Sequence, residues 1–292
     1  MSRIGIAVVL IALLLTAVAV QAQDEGSVAM RLKAARYLAR GDTGLASAND
    51  GATIGYNPAN LASVSIANYD DPFMLADDPK PVKTECANTI EASGGTEFYS
   101  LLRAIRDMRK DWGIGLGFAG MSEAGLGDWW TVGFGTKLGT SDWNAGLAFQ
   151  HVDAGLLSDT GKNLINLGFQ GKVYDREGLL VQVGALVRDL TGRLDNGPLY
   201  NVGVAATYQD TLVEMDWWDF TNEIDSSFNL GVQQKLDQSW SLYAGLIDGN
   251  DLTAGVGYIK GWWNLAAGWM QASDNTVIGD ELLLTVGRRI RF

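Results

Sequence analysis

The sequence predicts an all-β protein: an antiparallel transmembrane β-barrel of 12–14 strands with a short N-terminal helical or irregular plug segment. Three observations lead there. Large apolar residues alternate with small or polar ones through most of the chain after Asp111. The segments patterned this way run about nine to eleven residues, enough for a tilted strand to cross a bilayer. Trp and Tyr gather at their ends, where a barrel meets the two membrane surfaces.

The composition fits. Among 292 residues there are 36 Gly and 10 Trp but only 5 Pro, as many strands with aromatic girdles require. The formal net charge of −12 leaves no phosphate-neutralising face, so no nucleic-acid partner is expected. Cys86 is the only cysteine. It has no internal disulfide partner, and no Cys/His cluster has zinc-ligand spacing, so neither metal nor cofactor is expected.

Residues 1–22 read as a secretory signal. Arg3 supplies the positive start, Ile4 to Val20 is an unbroken run of apolar, Gly and Thr residues, and Val20-Gln21-Ala22 is a small-x-small cleavage site. The mature chain then begins near Gln23. No lipobox cysteine follows. Every later apolar run is short and interrupted, so a membrane-embedded mature chain must be a closed barrel, since only helices and barrels satisfy their backbone in lipid. The expected location is the bacterial outer membrane.

Residues 23–62 are expected to form the plug. Met30, Leu32, Ala35 and Leu38 recur at helical spacing, and a stretch of small residues leads to Asn57-Pro58-Ala59-Asn60-Leu61-Ala62. Residues 63–292 are expected to form the barrel. Ser63 to Tyr69 reads as a candidate strand, Asp70 to Lys83 as a loop, and Glu97 to Lys110 as a helix with Phe98, Leu101, Leu102 and Ile105 on one stripe.

From Trp112 onward twelve strands are predicted, near 112–121, 129–138, 142–151, 163–171, 177–188, 199–209, 211–219, 226–236, 239–247, 251–260, 261–270 and 281–292. In the first, Trp112, Ile114, Leu116 and Phe118 alternate with Gly113, Gly115, Gly117 and Ala119. The large-residue face is assigned to lipid. The Gly- and Ala-rich face suits a narrow or plugged lumen. Bacterial barrels have even strand numbers, so the total should be twelve or fourteen. Leu282, Leu284, Val286, Ile290 and Phe292 share one phase of the last strand. The terminal Phe292 matches the signal expected by the barrel-assembly machinery. Arg288 breaks that phase, so its side chain must snorkel to an interface.

Ala35-Arg36, Gly41, Gly44, Ala46-Ser47-Ala48-Asn49-Asp50 and Asn57-Pro58-Ala59-Asn60-Leu61-Ala62 together resemble the N-terminal pattern of the FadL-like superfamily of outer-membrane barrels, in its PorV/PorQ or TraF-like branches. Val187-Arg188-Asp189-Leu190-Thr191-Gly192 is similar to that family's short turn before a new hairpin. The glycine pair departs from the pattern as Arg40-Gly41-Asp42, and the chain is shorter than typical members. The resemblance implies a barrel with its N-terminal residues folded inside. Asn57, Pro58 and Ala59 then mark the junction between plug and strand, though the same residues also suit a plain turn.

Glu214 and Asp216 fall on the inward phase of their strand. They suit a general acid/base pair, a selectivity ring, or bonds to the plug or to inward arginines such as Arg289 and Arg291, the usual state of intramembrane charges. His151, the only histidine, stands at a strand end. In His151-Val152-Asp153 it lacks the serine of a lipid-hydrolysing pair, so no enzyme is expected. Arg40-Gly41-Asp42 spells an adhesion tripeptide in a segment expected inside the barrel. Gly113-x-Gly115-x-Gly117 is strand alternation without a following helix, not a phosphate loop. The resulting expectation is passage of hydrophobic or small solutes across the outer membrane. The alternative is a non-conducting PorV-type barrel that anchors or assists secretion or surface attachment. Beyond outer-membrane lipid, the expected partner is a hydrophobic ligand or a secretion partner.

Overall fold

Period-two alternation turns every second side chain to the same face of a strand. A sheet carrying Gly and Ala on one face and Leu, Phe and Trp on the other can therefore close with its bulky face outward. The computed structural model describes residues 34–49, 52–64, 84–93, 98–107, 111–121, 129–152, 161–193, 198–221, 226–261, 263–271 and 281–291. It contains fourteen strands: β1 (Thr84–Ser93), β2 (Phe98–Asp107), β3 (Trp112–Met121), β4 (Trp129–Lys137), β5 (Trp143–Val152), β6 (Lys162–Arg176), β7 (Leu179–Arg188), β8 (Leu199–Tyr208), β9 (Thr211–Trp218), β10 (Ser227–Lys235), β11 (Trp240–Ile247), β12 (Asp251–Lys260), β13 (Trp263–Gln271) and β14 (Glu281–Arg291). Each is antiparallel to its sequence neighbours, and β1 pairs with both β2 and β14, closing the barrel.

Large side chains face outward. Leu147 is 52% exposed between the buried Gly146 and Ala148, and the same contrast recurs along Leu282, Leu284 and Val286 of β14. Surface of this kind is stable against hydrocarbon and not against water, which makes the fold a transmembrane barrel. No described helix is long and apolar enough to cross a membrane.

The two ends differ. Turns at one end are tight: Glu177 (φ 55°) and Gly178 (φ 77°) join β6 to β7 with both central residues left-handed, the geometry that matches strand twist. Five of the seven connections at the other end are longer, spanning 122–128, 153–161, 189–198, 219–226 and 272–280, beside the shorter 94–97 and 248–250. Short turns belong on the periplasmic side of bacterial barrels and longer loops on the outside.

All twelve strands expected after Trp112 are present, so the count is settled by what precedes them. The helix expected over Glu97 to Lys110 is instead strand β2, and β1 lies in a stretch whose sequence has no single pattern. Phe98, Leu101, Leu102 and Ile105 do repeat at helical spacing. Closure, however, gives this segment a hydrogen-bonding partner on each side, and tertiary pairing overrides a short local pattern. The candidate strand at Ser63 to Tyr69 is also corrected in part: Ser63 ends a 3-10 helix, while 65–70 lie outside the described residues. So do the signal segment and the loop at Asp70 to Lys83.

Inside the barrel lie two one-turn helices, α1 (Ala35–Leu38) and α2 (Thr53–Tyr56), and the 3-10 helix η1 (Pro58–Ser63). The helical spacing around Met30 to Arg40 therefore amounts to a single turn in the described part. Nearly every residue of this segment is buried, and it supplies much of the apolar core, including Tyr37, Leu38, Leu45, Tyr56 and Leu61.

Candidate functional site

A plug can touch a sheet backbone-to-backbone only where the sheet has no side chains. The wall meets that condition with glycines on eleven of its fourteen strands, β3 alone carrying three that face inward. The plug follows them around the barrel. Ala35 lies against Gly268 on β13, Arg40 against Gly231 on β10, Leu45 against Gly184 on β7, Asn57 against Gly168 on β6, Ala59 against Gly146 on β5 and Leu61 against Gly113 on β3. At each of these glycines a Cβ would come within 3.0 Å of the plug. The segment therefore runs along the inner wall from β13 towards β3, with Ile54 of α2 packed against Gly133 on β4 and Gly115 on β3 on the way.

On β9 the glycine belt is interrupted by two carboxylates. Register sets Asp216 opposite Gly203 and Glu214 opposite Gly231, and both acids are fully buried. Four consecutive plug amides converge on them. Asp216 Oδ2 accepts from Gly44 N (2.7 Å) and Leu45 N (3.0 Å). Glu214 Oε1 accepts from Ala46 N (3.0 Å) and Ser47 N (3.2 Å). Glu214 Oε2 pairs with Arg40 Nη2 at 2.8 Å and accepts from Ser47 Oγ. Arg40, itself buried, also donates to Thr43 O (3.1 Å) and Gln233 Oε1 (3.3 Å). Buried charge is tolerated only when paired and hydrogen-bonded, and here the wall supplies the anions and the plug the cation and the amides.

Threonine and asparagine hold the rest of the first half. Thr285 Oγ1 accepts from Ala35 N (2.8 Å). Thr253 Oγ1 accepts from Gly41 N (3.0 Å) and donates to Ala39 O (3.1 Å). Asn57 anchors the second half: its Nδ2 donates to Leu45 O and Phe169 O, both at 2.9 Å, and its Oδ1 accepts from Ala59 N at 3.1 Å. Pro58 opens η1, where a missing amide costs nothing and its fixed φ fits. At the centre Tyr37 and Tyr56 pack with ring centroids 4.7 Å apart, and Tyr56 Oη donates to Asp42 Oδ1 at 2.6 Å. Between plug and wall on the long-loop side, a crevice lined by Tyr56, Thr131, Gln150, Asn166, Leu186 and Arg188 offers about 10 Å³, room for roughly one water molecule.

A repeat in the sequence announces this wall, although no strand taken alone reveals it. Thr131-Val132-Gly133, Asn166-Leu167-Gly168, Asn201-Val202-Gly203, Asn229-Leu230-Gly231, Thr253-Ala254-Gly255 and Thr285-Val286-Gly287 occupy β4, β6, β8, β10, β12 and β14. The glycine clears space and the polar residue two positions earlier binds backbone. Three of the asparagines serve the rim. Asn166, Asn201 and Asn229 accept from the amides of Asp189 (3.0 Å), Asp219 (2.9 Å) and Asp248 (3.1 Å), each left-handed with φ 55°, 46° and 53°. The Val187 to Gly192 turn is thus the first of three related corners.

Other residues named from the sequence fall elsewhere. Arg289 and Arg291 pair in register with Ala87 and Glu85 on β14, separated from β9 by β10 to β13; their side chains lie outside the described residues, as do Phe292 and the side chain of Cys86. His151 bonds Asn163 Oδ1 at 2.7 Å and packs beside Trp130 on the outer face. Arg40-Gly41-Asp42 is buried, and Gly113 and Gly115 are plug sockets.

No family model and no curated protein matches this chain. Solved structures do. The Ralstonia pickettii toluene transporter TbuX superposes with a TM-score of 0.53 at 11% identity, over 91% of this chain and 100% of that one. The P. putida toluene transporter TodX gives 0.50 at 10% identity over 90% and 99%. A TodX deletion mutant described as a monoaromatic hydrocarbon channel gives 0.52 at 9% over 88% and 97%. At such identities the likeness is one of fold alone: a closed antiparallel barrel built like those of these transporters.

Proposed function

We propose that this chain is an exported outer-membrane channel for small apolar solutes, held closed by its plug. Residues 1–22 serve as the export signal, 23–62 as plug and 63–292 as barrel, inserted by the barrel-assembly machinery. The observation that carries the reading is how the plug is held. Two buried wall carboxylates and four plug amides meet on β9, while Thr285, Thr253 and Asn57 add isolated anchors elsewhere. Breaking the β9 cluster removes the densest polar hold on the plug and is proposed to free it. The solved barrels of like fold that are described as toluene transporters support the choice of apolar solutes.

One observation favours the other reading, a non-conducting PorV-type barrel for secretion or attachment: the crevice described between plug and wall has space for only about one water. Planar bilayers separate the two. The full-length mature protein should be nearly silent, and deletion of 23–60 or the substitution Glu214→Gln should give steady conductance, with toluene entering vesicles faster through the variant. If wild type and both variants insert and all stay silent, the channel reading fails and the closed scaffold stands.

A further inference from the structure

On the outer wall, register joins Lys260 to Trp263, Trp263 to Arg288, Arg288 to Asn88, Asn88 to Arg103 and Arg103 to Leu116. The row then continues through Val132 to Phe149. Strands in such barrels tilt by about 35–45°, so a row perpendicular to them climbs the wall. It starts at the short-turn rim, where Trp263 opens β13, and reaches the long-loop half at Phe149. Its upper half is apolar and lipid-facing: Leu116, Val132 and Phe149 are 48%, 38% and 36% exposed. Its lower half holds three cations, Lys260, Arg288 and Arg103, each exposed.

Arg103 is the anomaly. It shares its face with Leu116, while its neighbour Ala104 is fully buried toward the lumen. It thus stands near mid-height on a hydrocarbon-facing wall, where a bare charge is strongly disfavoured. A long side chain relieves this by bending toward the interface. The nearer interface is the short-turn rim, where Arg288 stacks over the Trp263 ring at 5.4 Å. Two strand spacings separate Arg103 from Arg288, roughly 10 Å between Cα atoms, so both guanidiniums can close on one group between them.

We infer that Lys260, Arg288 and Arg103 form a docking site for the phosphate headgroup of an anionic phospholipid in the leaflet on the short-turn side. Guanidinium takes phosphate oxygens in a charge-assisted, two-pronged geometry. The Trp263 ring marks the depth at which headgroups lie. A zwitterionic lipid would bring its own ammonium against three cations. A second copy docking by two-fold symmetry would set like charges against like. The inference does not depend on what passes through the lumen.

The test is lipid retention by the full-length mature protein, reconstituted in vesicles of equal phosphatidylglycerol and phosphatidylethanolamine, extracted in mild detergent and weighed by native mass spectrometry. Wild type should retain phosphatidylglycerol preferentially, and Arg103→Gln with Arg288→Gln should lower that retention about tenfold or more, the scale of losing charge-assisted bonds. Folding is checked by the heat-dependent gel shift of the barrel. If that pair does not fold, Lys260→Gln with Arg288→Gln at the rim decides in its place. Equal retention of both lipids by wild type, or undiminished retention by the folded variant, overturns the site. So does a membrane protein, in place of lipid, cross-linked through position 103.

Discussion

At the scale of single residues, Glu214 carries the most consequence. Replacing it with Gln keeps the shape and removes the carboxylate paired with buried Arg40, a change worth about 3–5 kcal/mol where a buried pair loses one member. We expect the plug of the Glu214→Gln variant to be cleaved by added protease under conditions that leave the wild-type plug intact. Replacing both partners, as Arg40→Met with Glu214→Leu, should restore much of the protection, because no orphan charge remains. Gly231 tests the other half of the contact: a Cβ there would fall within 3.0 Å of the Arg40 carbonyl. Gly231→Ala should therefore also expose the plug to protease while the barrel still forms, and unchanged cleavage would mean that the plug does not rest on the wall as described. The inward phase of Glu214 and Asp216 is legible in the sequence from Val213, Met215 and Trp217, which alternate with them on the lipid-facing side. Their partner is not, because Arg40 lies 174 residues away and alternation says nothing about which distant segment fills a lumen.

At the scale of elements, the corners are the informative pieces. Asn201 receives the left-handed amide of Asp219 and donates to Leu186 O and Leu199 O at 3.0 and 3.1 Å. Asn201→Ala strands those groups, and a loss of about 1–3 kcal/mol is expected in the unfolding free energy measured by urea titration in bilayers. At the opposite end, Gly178 has φ 77°, and a Cβ added there would meet nothing within 4 Å. Gly178→Ala therefore isolates the backbone cost of about 1–2 kcal/mol for a left-handed residue. The later strands are legible because their alternation is strong and their turns carry Gly, Asn or Asp. The two earliest strands are not. β1, with Thr84, Glu85, Asn88 and Glu91 among its residues, lacks an apolar face, and β2 carries a helix-like stripe; both are strands because the circle needs them.

At the scale of the whole molecule, inside and outside are exchanged relative to a soluble sandwich. Trp130, Trp143, Trp217, Trp240, Trp263 and Trp269 are 38% to 51% exposed on the outer face, whereas Trp218 is 2% exposed beside the plug. Single-tryptophan variants in vesicles of brominated lipid should show quenching of the six and none of Trp218. Quenching of Trp218 would mean that β9 is turned the other way. Fold class and span length follow from patterns that repeat along the chain. The way the plug is seated does not, since it depends on one copy of a segment meeting many strands at once.

That seating has a consequence for assembly. Ala35 bonds Thr285 across 250 residues, and the plug touches the wall at intervals from β13 to β3. Its contour is thus matched to one particular circumference. Twelve strands would leave it too long for the ring, and sixteen would pull its sockets out of register with its backbone. The plug segment is in this sense a mandrel: it reaches its partners only when the last strands arrive, and it fits only a barrel of fourteen.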